Sequence, residues 1–102
     1  MDQSIQSYLK PELDEASKVL LRAADLIEDR GWCQRALEDD MGRYCAIGAI
    51  LQVPGTTDER SVAATRLMKS ICERDVAVWN NAPGRTKEEV VAKLRSVALG
   101  GA

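Results

Sequence analysis

The chain has no histidine among its 102 residues, and no phenylalanine. Without an imidazole, histidine general bases, Cys–His and Ser–His nucleophile pairs and histidine metal sites are all excluded, which removes most common hydrolase designs. With only two tryptophans and two tyrosines, the interior is expected to be aliphatic with a few aromatic anchors. Glycines that cradle phosphates are also missing: Gly42, Gly48, Gly55 and Gly84 stand alone, with no dinucleotide or P-loop spacing. No cofactor is expected.

Charge of one sign is not in excess either. Fourteen basic and 16 acidic side chains leave a formal net charge of −2, with neither a basic nor an acidic tail, which argues against nucleic-acid binding by bulk electrostatics. A helix-turn-helix is disfavoured for a second reason: the helices expected between Ser61 and Arg95 are joined by a connection longer than that motif's short turn. No apolar run approaches the roughly 18 residues of a membrane span. Met1 to Lys10 also lacks the basic start and apolar stretch of a secretory signal. The three cysteines, Cys33, Cys45 and Cys72, are odd in number and include no C-x-x-C pair. They are expected to be free, buried thiols in a reducing cytoplasm, with no structural metal. Glu38, Asp39 and Asp40 lack the alternating ligands of a calcium loop and read as a solvated turn.

What is present is enough apolar material for a core: 45% hydrophobic against 29% charged residues. The expected fold is mainly α, a compact bundle of about four helices in one domain spanning 1–102, with 1–10 loosely ordered. The first helix runs from the region of Pro11 to about Arg30, where Leu13, Ala16, Leu20, Ala23 and Ile27 recur in steps of three and four. Gly31 ends it. Two readings stay open for Trp32 to Ala46: an irregular loop, or a short hairpin with arms Trp32–Leu37 and Arg43–Ala46.

Tyr44 to Leu51 is apolar almost all round and marks a central buried segment, in which Gly48 permits close backbone approach. After the turn at Pro54-Gly55, a helix capped by Thr57 or Asp58 buries Val62, Ala63, Leu67, Met68, Ile71 and Cys72. Val76 to Trp79 fits a strand or a helix equally. Ala82-Pro83-Gly84-Arg85 fits a type II turn. Thr86 and Glu89 then make a capping box for a last helix that buries Val90, Val91, Leu94, Val97 and Ala98.

A set of residues at these boundaries carries a resemblance. Ala23-Ala24-Asp25-Leu26-Ile27, Gly31-Trp32-x-Gln34, Gly42-Arg43, Cys45-Ala46-x-Gly48-Ala49 and Trp79-Asn80-Asn81-x-Pro83-Gly84-Arg85-Thr86-x-Glu88-Glu89-Val90 resemble the pattern of a family of short bacterial and bacteriophage proteins of unknown function. The resemblance covers roughly residues 15 to 99. It implies a bacterial cytoplasmic origin, brings no activity, and singles out Trp32, Gln34, Cys45, Trp79, Asn80 and Arg85; at the position of Asn81 the family pattern more often has Asp.

Those six residues are the candidate ligand-binding set, expected to meet over the central apolar segment and close a small polar pocket. Trp32 and Trp79 also serve as core anchors on the plainer reading, and Asn80 and Asn81 as ties for the turn before the last helix. For function, the absence of catalytic equipment favours a protein-interaction or regulatory module, with a protein partner or a second copy bound through a face such as the Thr57–Cys72 helix. The alternative is a small-ligand-binding protein or an unconventional cysteine enzyme built on Cys45.

Overall fold

The computed structural model describes residues 13–72 and 74–100. Their secondary structure is five helices: α1 (Glu15–Arg30), α2 (Ala46–Gln52), α3 (Thr57–Ser70), α4 (Val76–Asn80) and α5 (Lys87–Ala98). The helical bundle expected from the sequence is therefore present, with α4 as little more than a single turn. Among the described residues no helix is long and apolar enough to cross a membrane.

Helix α1 is the axis of the fold and packs against α5, α2 and α3. Val19, Leu20, Ala23, Ala24 and Ile27 are fully removed from solvent, so one stripe of α1 supplies the centre of the core. Facing it are Val90 and Leu94 of α5, Ala46, Ala49 and Ile50 of α2, and Ala63 and Leu67 of α3. The small residues allow close approach, and the buried apolar residues form one cluster. On the outside, Arg95 of α5 bridges Asp25 and Glu28 of α1, and Arg66 of α3 bridges Asp14.

The helix ends follow local chemistry, with some shifts from expectation. Leu13 and Asp14 lie outside α1, because Asp14 is an extended N-cap whose carboxylate accepts from Ser17 N at 2.9 Å. The expected start near Pro11 and the loosely ordered segment 1–10 fall outside the described residues. Helix α3 is capped by Thr56, which makes a capping box with Glu59, rather than by Thr57 or Asp58. It ends at Ser70, and Cys72 takes a left-handed φ of 64°. Val62 is 42% exposed and Cys72 is exposed, so neither belongs to the buried face assigned to this helix. The turn between α4 and α5 has the expected form: Arg85 N donates to Ala82 O at 3.1 Å and Gly84 has a φ of 82°.

Between α1 and α2 the loop reading holds and the hairpin does not form. Trp32 makes an isolated parallel bridge to Tyr44, and Glu38 an isolated antiparallel one to the same residue. Asp39 folds the acidic turn locally, accepting from the Met41 and Arg43 amides at 3.0 and 2.9 Å. These bonds, with the Arg43 side chain on Asp39 at 2.6 Å, hold its carboxyl below the usual range, the Arg43 amide contributing most.

Candidate functional site

The loop 31–45 is held by scattered backbone bonds and isolated bridges rather than by a strand ladder, and α4 is too short to persist alone. What joins them is Asn80, whose side chain is wholly buried. Its Oδ1 accepts from Trp32 Nε1 at 2.8 Å and from Ala46 N at 3.0 Å, while Nδ2 donates to Cys33 O and Asn81 Oδ1, each at 3.1 Å. The full capacity of a carboxamide is used. Gln34 adds a second clasp, its Nε2 donating to Asn80 O and Ala82 O at 3.2 Å each. Asn81 Oδ1 accepts from Arg35 N at 2.9 Å.

Cys45 joins this cluster through the backbone. It is the N-cap of α2, and its Sγ accepts from Gly48 N at 3.2 Å. Sulfur is a weaker acceptor than the oxygen of Ser, Thr or Asp at this position. The next amide, Ala46 N, is one of the donors to Asn80. Cys45 N in turn donates to Leu37 O at 3.2 Å. The neighbouring thiol of Cys33 lies buried over the Arg43 and Ala36 carbonyls. Burial first, and then the Asp39 charge, push its pKa up.

Trp79 and Arg85 occupy a different face. Successive helical residues point about 100° apart, so with Asn80 turned into the core Trp79 is left half-buried at the surface. The Arg85 guanidinium lies over the Trp79 ring, 4.3 Å from its centroid, and Arg85 Nε donates to Trp79 O at 3.0 Å. The structure thus brings Trp32, Gln34 and Asn80 into one hydrogen-bonded knot, places Cys45 next to it through the Ala46 amide, and sets Trp79 with Arg85 as a stacked pair beside it.

This arrangement meets a comparison. A family model described as a family of unknown function (DUF6197) matches residues 11–99. The chain belongs to the DUF6197 family. No curated protein and no solved structure matches it. All six sequence-selected residues lie inside the span matched by DUF6197.

Two small clefts border the knot and the stack. One, of about 260 Å³, is lined by Arg35, Ala36, Leu37, Cys45, Ala77 and Asn81. The other side of α4 has a cleft of about 330 Å³ in which Trp79 and Arg85 are joined by Arg74, Lys93 and the exposed Cys72, among others. Sequence reasoning missed Arg74 and Lys93. The available signal was the i, i+4 pair Glu89 and Lys93 on α5, which continues the line of Arg85. Among the described residues no three of Cys, Asp and Glu gather as a metal site.

Proposed function

We propose that the chain is a protein-interaction module of the bacterial cytoplasm, which takes a partner's apolar side chains, or those of a second copy, into the groove between α2 and α3. One observation carries this reading: the groove, of about 220 Å³, is walled by Ile47, Ile50, Leu51 and Ala64, with Arg60 and Ser61 at its margin. Leu51 is 52% exposed. A single exposed leucine means nothing, but contiguous apolar side chains lining a groove favour a helix or loop laid across it. The polar residues picked out by sequence point the same way, since the hydrogen-bonding capacity of Asn80 is spent inside the fold.

The test uses light scattering across a concentration series together with capture of partners on the tagged chain. Leu51→Glu and Ala64→Glu are expected to abolish the assembly or the capture while leaving the thermal midpoint within a few degrees, because exposed and half-exposed sites tolerate change. A chain that stays monomeric and retains no partner, or retention that both variants leave intact, would overturn the reading.

A second reading has support from the cleft that Cys45 shares with Arg35 and Asn81: a cysteine-dependent activity or small-ligand site. Thiol titration separates the two. With Cys45 and Cys33 buried and Cys72 exposed, one thiol is expected to react quickly and two only on unfolding. Fast alkylation of Cys45 in the folded chain would favour the cysteine reading. Cys45→Ser keeps a helix cap but no thiol, so an activity lost in a stable Cys45→Ser chain would point the same way.

A further inference from the structure

The Trp79–Arg85 stack has features that the structural knot beside it lacks. The guanidinium is held on one face by the indole, at 4.3 Å, and along one edge by Trp79 O, at 3.0 Å from Nε. Its orientation is therefore set before any ligand arrives, and the Nη1 and Nη2 edge is turned away from that bond. The nearest carboxylate competes poorly for this edge. Glu89 Oε1 is 3.7 Å from Nη1, beyond hydrogen-bond range, and already accepts from Thr86 N at 2.9 Å.

Around the stack lie two open clefts, of about 330 and 460 Å³, that share Trp79, Arg85 and Lys93. Arg74 lines the first and Glu89 the second. Among the described residues that line these clefts, three cations and one carboxylate give an excess of two positive charges, on a chain whose formal net charge is −2. Among the described residues Arg74 and Lys93 have no ion-pair partner. The floor of the first cleft is apolar, made by Ile71, Val78 and Ala82, and Val78 is 60% exposed.

We propose that this surface binds a phosphomonoester, with Arg85 gripping the phosphoryl oxygens, Arg74 and Lys93 supplying charge, and the Ile71–Val78 wall taking the organic body. The choice of anion follows from charge and shape. A phosphomonoester carries close to two negative charges at neutral pH and matches the local excess, whereas a carboxylate leaves one cation uncompensated. The planar guanidinium fork suits two phosphoryl oxygens at once. An apolar wall makes an aryl phosphate a better ligand than inorganic phosphate.

The full chain is titrated with phenyl phosphate, inorganic phosphate, benzoate and a capped phosphotyrosine peptide, read by tryptophan fluorescence and calorimetry. The expected order is phenyl phosphate tighter than inorganic phosphate, and both tighter than benzoate. A peptide at least about tenfold tighter than phenyl phosphate assigns the phosphoryl group to a modified protein, and a peptide no tighter assigns it to a free metabolite; both results support the site. Arg85→Gln should weaken phenyl phosphate about tenfold or more, as expected for a lost charge-assisted bond. Because Arg85 also bonds Trp79 O, the double variant Arg74→Gln, Lys93→Gln provides an independent check at side chains that form no ion pair among the described residues. It should weaken binding severalfold and flatten its dependence on salt. Absence of saturable phenyl phosphate binding, benzoate binding as tightly, or a folded double variant that binds like the parent would each overturn the proposal.

Discussion

At Asn80 one buried carboxamide closes four hydrogen bonds to partners from the loop, from the first amide of α2 and from its own neighbour. Asn80→Ala leaves the Trp32 Nε1–H, the Ala46 N–H and the Cys33 carbonyl without that partner around a buried side chain. The cost should be on the order of 2–4 kcal/mol, from orphaned groups more than from the bonds themselves. Asn80→Asp keeps the two acceptor bonds but turns a carboxylate oxygen toward the Cys33 carbonyl and Asn81 Oδ1, so it should also destabilise, and more at neutral than at acid pH. Urea unfolding of the three proteins checks this; an Asn80→Ala loss below about 0.5 kcal/mol would mean that water replaces the lost partner. The sequence marked Asn80 and Asn81 as ties for the adjacent turn. In the fold their side chains reach residues 46 to 48 positions away on the opposite side of the sequence, at Trp32, Cys33 and Arg35, and Asn80 also reaches Ala46. Such long-range pairing cannot be inferred from neighbouring residue types.

Among the elements, α2 is the one whose position depends on a missing side chain. A Cβ on Gly48 would sit 1.9 Å from Leu37 O and 2.7 Å from Leu37 C, both backbone atoms that cannot rotate aside. Alanine improves helix propensity by about 1 kcal/mol, yet Gly48→Ala must push α2 off the loop that carries Leu37. It should lower stability by roughly 3 kcal/mol or more, seen as a drop in thermal midpoint; an unchanged midpoint would show that the loop gives way freely. Elsewhere the helices were legible to differing degrees. Helices α1 and α5 have sustained apolar stripes, and α5 has a capping box with one clear N-cap. Helix α3 was expected to be capped by Thr57 or Asp58, whereas the Thr56–Glu59 spacing identifies the cap used. Helix α4 has five residues, too few for a period of two and a period of 3.6 to differ; the Asp75 carboxylate on Ala77 N caps its start.

Over the whole molecule, acid should loosen the contact between the start of α1 and α3. Arg66 bonds the Asp14 carboxylate, which also accepts from the Ser17 amide, and these hold the Asp14 carboxyl well below the ordinary carboxylate range, with the Arg66 bond the largest cause. A folded-state pKa below the unfolded one means that the stabilisation is present above the unfolded carboxylate's pKa, about 4. It is lost as pH falls through the lower folded value. Thermal midpoints between about pH 6 and pH 2 should therefore fall less steeply for Arg66→Met than for the parent chain, with the two curves converging at the acid end. Parallel curves would show that Arg66 does not couple to Asp14 in solution.

The sequence by itself determined the helical class, the long and the capped helices, the glycine at the crossing and the removal of imidazole chemistry, because each follows from local periodicity, backbone sterics or plain composition. Only the tertiary structure decided that Trp32, Gln34 and Asn80 would be turned inward on one another while Trp79 and Arg85 stack at the surface. Neighbouring residues in a one-turn helix differ only in direction, and that direction is set by the loop packed against α4. The same is true of Arg74, Lys93 and Leu51, whose exposure depends on which faces α1 and its neighbours left uncovered.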